Sequence, residues 1–124
     1  MKRLIPAGII FMLVILTYFL STKYITKSCE NTKTLLQKSV EAYKENHTAQ
    51  KETNEIKKFW QKEEKILSFF VNHEHIDEIE LAISTLTVYA KEKDNILFYE
   101  YADTIEILLH QIVEETKITT HSIF

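Results

Sequence analysis

Glycine, proline and cysteine each occur once in the 124 residues. Tight hairpins need glycine, asparagine or aspartate at left-handed turn positions. A chain with so little of that punctuation, and rich in Glu, Lys, Leu and Ile, is expected to be built of long helices rather than short strands. Cys29 alone can close no intramolecular disulfide and build no zinc site by itself. It is expected to be an idle thiol rather than a crosslink between two copies. The length allows one small domain once an apolar N-terminal segment is set aside.

What is present begins with that segment. Residues 4–20 read LIPAGIIFMLVILTYFL, without a charge, after Lys2 and Arg3 and before Ser21, Thr22 and Lys23. At about 1.5 Å per residue, the run sits near the short end of bilayer-spanning helices. Residues 21–25 extend it, and Tyr18 and Tyr24 are placed as interfacial aromatics. Cleavage by a signal peptidase wants small residues three before and one before the cut. Phe19, Leu20, Ser21 and Thr22 offer no such pair, and Cys29 lies too far beyond the run for a lipoprotein signal. The reading is an uncleaved anchor over residues 1–25. A short basic stretch followed at once by an apolar run has the layout of an export signal, which leaves the C-terminal part outside the cytoplasm.

After the anchor, no glycine or proline interrupts the chain from Tyr24 to Phe70, so one long helix or two collinear ones are expected. The first part has only a thin stripe of Leu36, Val40, Tyr43 and His47, and residues 46–54 are almost wholly polar. Residues 26–55 therefore read as a polar stalk helix. From Ile56 a broad face appears, with Phe59, Trp60, Glu63, Ile66, Leu67 and Phe70 at three- and four-residue spacings. Ile76, Ile79, Ile83, Leu86 and Ala90 repeat the pattern. Phe98, Ala102, Ile105, Leu109 and Ile112 do so again after a break at residues 91–95, where Asp94 is a plausible N-cap. The expected fold is all-α: a transmembrane helix, a stalk, and residues 56–124 as an amphipathic three-helix bundle containing an antiparallel hairpin. Trp60, Leu67, Phe70, Ile76, Ile79, Ile83, Leu86, Phe98, Ile105, Leu109 and Ile112 form its core. Ile118, Ile123 and Phe124 give the tail apolar side chains able to fold back on it.

Charge divides unevenly. Residues 21–71 carry ten Lys against seven Glu, whereas residues 72–124 carry three Lys against eleven acids. The acidic half disfavours nucleic acid as a partner. The lysine run reads first as a solvated face, and lysines nearest the membrane can also meet anionic lipid headgroups.

One stretch looks chemical. Residues 71–80, VNHEHIDEIE, crowd His73, Glu74, His75, Asp77, Glu78 and Glu80 together. Spacing places His73 and Asp77 on one helical face with His75 nearby, a set that suits zinc or manganese. The set is incomplete, because HExxH and paired Glu-x-x-His helices are both absent and His110 is only a remote candidate partner. A helix start explains the same residues: oxygen acceptors and negative charge belong at its N-terminus. On this account Asn72 ends the preceding helix in a left-handed turn.

The basic start, the apolar run, the Trp60 helix WQKEEKILSFFVNHEHIDEIELAI, the amphipathic hairpin and the terminal Ser-Ile-Phe together resemble the bacterial domain-of-unknown-function 4363 family of short membrane-anchored proteins. The resemblance implies an anchor and a helical fold, and it assigns no activity to any residue. With no nucleophile constellation, phosphate loop or strong metal motif, the expected function is non-catalytic. It is a single-pass envelope module, held in the bilayer by residues 4–20, that binds a protein partner or itself without a cofactor. The alternative is a metal-binding or sensory module using His73, His75 and Asp77.

Overall fold

The computed structural model describes the backbone of residues 2–123 and the side chains of residues 2–117. Among them are four helices and no strand: α1 (Leu4–Asn46), α2 (Gln50–Leu67), α3 (His73–Glu92) and α4 (Asn95–Ile123). The all-α expectation holds, with one helix more in the bundle than the sequence suggested. Apolar tail contacts from Ile118, Ile123 and Phe124 fall outside the described side chains.

The turns are made without glycine. α1 ends where His47 takes a left-handed conformation, φ 55°, and its N–H donates to the Tyr43 carbonyl at 2.8 Å. α3 ends the same way at Lys93, φ 59°. Asp94 then caps α4, its carboxylate accepting from the Leu97 N–H at 3.1 Å, as the sequence led one to expect. Asn72 behaves differently from the expectation. It does not close α2 in a left-handed turn; its backbone is extended (φ −59°, ψ 133°) and its side chain caps α3 by accepting from the Glu74 N–H.

The break at residues 47–49 overturns the collinear stalk. α2 folds back along α1, so that Glu63 comes beside Tyr24 and Ser28 near the far end of the pair. α3 runs back along α2, α4 along α3, and α4 also lies against α1, where Lys33 meets Glu106 at 3.3 Å and Tyr43 meets Phe98. Each helix thus has two neighbours, an up-down-up-down arrangement of four rather than three helices.

The buried positions explain how α1 takes part. Ile25, Ser28, Cys29, Thr32, Leu36, Ser39 and Tyr43 step three and four residues along one side of α1. Thr53, Ile56, Trp60 and Leu67 do so on α2. This is the seam spacing of packed helices, but on α1 it is occupied largely by small hydroxyls and a thiol. Helical threonines hide their polarity locally: Thr32 donates to the Ser28 carbonyl at 2.8 Å. Of the residues expected in the core, all are buried except Phe70, which is 47% exposed because it lies past the end of α2.

The first turns of α1 contribute nothing to this core. Among residues 4–20, Leu4, Ile5, Ile9, Phe11, Leu13 and Phe19 are all exposed, and Gly8 has no neighbouring element within 4 Å.

Candidate functional site at the α2–α3 end of the bundle

α1 leaves the bundle beside the α2–α3 turn. A cleft of about 430 Å³ gathers Thr17, Tyr18, Ser21 and Thr22 of α1, Phe69 and Phe70 of the turn, and Ile112 and Thr116 of α4. The last turn of the apolar run and the tip of the α2–α3 connection therefore share one level of the molecule. By length and composition α1 is able to cross a bilayer, and no residue of its most apolar stretch is buried within the chain.

The turn is compact. The amides of Ser68, Phe69, Phe70 and Val71 donate to the carbonyls of Glu64, Ile66, Leu67 and Leu67 at 2.8–3.1 Å. These four amides are satisfied internally while Phe69 stands 83% exposed. The sequence reading did not single out Phe69, although the apolar triplet FFV between two helices was the available signal.

The histidine stretch does not converge. His73 is exposed at the first position of α3. His75 turns to α4, its Nε2 2.9 Å from a Glu115 carboxylate oxygen. Asp77 is exposed on the side of α3 that faces Glu64, and His110 lies 3.9 Å from Glu114 on its own helix. Among the described residues no group of three or more His, Cys, Asp or Glu side chains is arranged to hold a metal ion. The acids meet a carboxylate of α2 instead. Partial burial, with Glu80 and Asp77 close by, pushes the Glu64 carboxyl above its usual range.

One helical turn above the cleft, the Tyr24 hydroxyl and the Ser28 hydroxyl both donate to a Glu63 carboxylate oxygen. A wider groove of about 720 Å³ runs between α1 and α4, walled by Cys29, Glu30, Lys33, Glu106, Ile107 and His110. Its thiol is no nucleophile at neutral pH, since burial, helped by the charge of Glu30, pushes Cys29 up to about 12.

A family model described as "Domain of unknown function (DUF4363)" matches residues 19–123. No curated protein and no solved structure matches the chain.

Proposed function

The chain belongs to the DUF4363 family, and from that footing we propose that it is a single-pass membrane protein whose four-helix bundle is a non-catalytic interaction or structural module at the cell envelope. The observation that carries this reading is that no residue of the most apolar stretch of α1 is buried within the chain. Eleven of residues 4–20 are Leu, Ile, Val or Phe. At roughly 0.3–0.6 kcal/mol each, they favour insertion by roughly 3–7 kcal/mol. The same surface left in water is a far larger apolar patch than a soluble monomer tolerates. Lys2 and Arg3 before the run suit a cytoplasmic N-terminus, with the bundle outside.

The interaction role follows from what the bundle leaves uncovered. Leu81 and Val88 lie two turns apart on α3, and both are exposed. A protein partner or a second copy of the chain is the natural cover for such a strip.

Fractionation tests the anchor: the chain is expected to stay with membranes after alkaline carbonate extraction, while a chain beginning at residue 22 is expected in the soluble fraction. Recovery of the full chain in the carbonate supernatant would refute it. Orientation is read with a cysteine placed at Ile96, which is 80% exposed at the opposite end of the bundle from Phe69. A membrane-impermeant maleimide is expected to label Ile96→Cys in intact cells.

A further inference from the structure

Three features of the α2–α3 turn coincide. Its aromatic side chains point away from the core, Phe69 being 83% exposed. The amides of Ser68, Phe69, Phe70 and Val71 are engaged by carbonyls of the preceding turn, so entry of these residues into a poorly hydrated layer would strand none of the four donors. It also stands level with Thr17, Tyr18, Ser21 and Thr22, the end of the apolar run. If residues 4–20 span a bilayer, Tyr18 to Tyr24 pass through the headgroup layer, and Phe69 and Phe70 lie in that layer too. Exposed Lys23 and Lys65 flank the same end, where long cationic side chains can reach lipid phosphates.

We propose that Phe69 and Phe70 form a second membrane contact, a wedge seated in the headgroup layer of the leaflet from which α1 emerges. The bundle then stands directly on the bilayer at two points instead of swinging on a single helix. This rests on the anchor reading, and lipid is the occupant because the patch is continuous with the apolar run of α1. Two attachment points fix the tilt of the bundle, so the exposed strip of Leu81 and Val88 on α3 is held at a set angle to the membrane.

The test uses the full chain in vesicles of equal parts phosphatidylethanolamine and phosphatidylglycerol. Nitroxide labels are placed singly at Phe69→Cys, Ile10→Cys and Ile96→Cys with Cys29→Ser. Because Cys29 is buried, the same labelling works with Cys29 retained if that change disturbs folding. Collision with oxygen, which concentrates in lipid, is compared with collision with a water-soluble nickel chelate. The proposal expects the label at residue 10 to be lipid-like, that at 96 aqueous, and that at 69 several-fold more oxygen-accessible relative to nickel than that at 96. A label at 69 as aqueous as that at 96, with residue 10 in lipid, overturns the wedge and leaves the anchor standing. Shielding at 69 from both reagents with spin–spin broadening replaces lipid with a second copy and overturns it too. Aqueous behaviour at residue 10 defeats the anchor itself, and the wedge with it.

Discussion

The ring of Tyr43 on α1 lies stacked on that of Phe98 on α4, with centroids 4.1 Å apart and planes 16° from parallel. The Tyr43 hydroxyl donates to the side-chain oxygen of Asn95. Since both rings are buried, this pair fastens the first helix to the last at the end of the bundle away from the apolar run. Tyr43→Ala is expected to cost about 3–5 kcal/mol, the usual loss for deleting a buried ring. Tyr43→Phe keeps the stack and loses one hydrogen bond, about 1 kcal/mol. Thermal melting of the detergent-solubilised chain, followed by circular dichroism, should rank wild type, Phe and Ala in that order. Equal melting for the alanine variant would show that α1 is not held by this contact.

Lys93 ends α3 at φ 59°, a region that costs a side chain with a Cβ roughly 1 kcal/mol and costs glycine almost nothing. Lys93→Gly should therefore raise the unfolding free energy by roughly 0.5–1 kcal/mol, even though it deletes a charged side chain. A melting temperature at or below that of the wild type would mean that the left-handed turn carries no strain.

Ser39 sits on the buried seam of α1, and its Oγ has no hydrogen-bond partner among the described residues. A desolvated hydroxyl without a partner is worse than a methyl group in the same place. Ser39→Ala is expected to stabilise the bundle by about 1 kcal/mol. A loss of similar size in denaturant titration would reveal that the hydroxyl is satisfied in solution.

The same seam explains what the sequence could and could not disclose. α3 and α4 were legible because Ile76, Ile79, Ile83 and Leu86, and then Phe98, Ile105 and Leu109, mark their buried faces with large apolar residues. α1 was not, because Ser28, Thr32 and Ser39 occupy core positions and count as polar in any search for hydrophobic period. Thr32 is satisfied by the Ser28 carbonyl beneath it and Ser28 by Glu63 of α2, partners that periodicity does not register. The turn at His47 was hidden for a related reason: a left-handed histidine does the work usually signalled by glycine. The cap role of Asp94, at the opposite end of the bundle, was readable from its place before an apolar repeat. At the candidate site, the exposure of Phe70 was not, since three residues past the end of α2 an aromatic keeps its spacing and loses its partner.

Glu64 on α2 faces Glu80 and Asp77 on α3, and partial burial together with these like charges raises its pKa. A carboxyl whose folded pKa lies above its unfolded value favours the native state while it is protonated. The contribution is full below the unfolded pKa and is lost as pH rises through the folded one. The bundle should thus gain stability on mild acidification as far as this group is concerned. Glu64→Gln removes the repulsion and is expected to raise neutral-pH stability by up to about 0.5 kcal/mol, a small figure because the group is partly solvated. The difference between variant and wild type should shrink as pH falls towards the carboxylate range. A difference that stays constant with pH would remove the acidic pair as its cause.

Cys29 gives the opposite limb of the pH profile. Desolvation first, and the nearby charge of Glu30 second, push its thiol from 9.0 up to about 12. An unfolded chain sheds the proton near the lower value while the native chain keeps it. Stability from this group is therefore whole below the free-thiol pKa and is lost as pH climbs towards the folded one. About one pH unit above the free-thiol value, the loss amounts to roughly 1 kcal/mol. Cys29→Ala should flatten this part of the curve relative to wild type while leaving the acidic limb set by Glu64 in place. Reactivity follows the same logic, since alkylation requires both access and the thiolate. Native Cys29 should resist maleimide for as long as the bundle stays closed and react promptly once it is denatured. Rapid labelling of the native chain would mean that α1 and α4 part at the groove beside Cys29, which places the opening motion of the bundle there and not at the stacked end held by Tyr43 and Phe98.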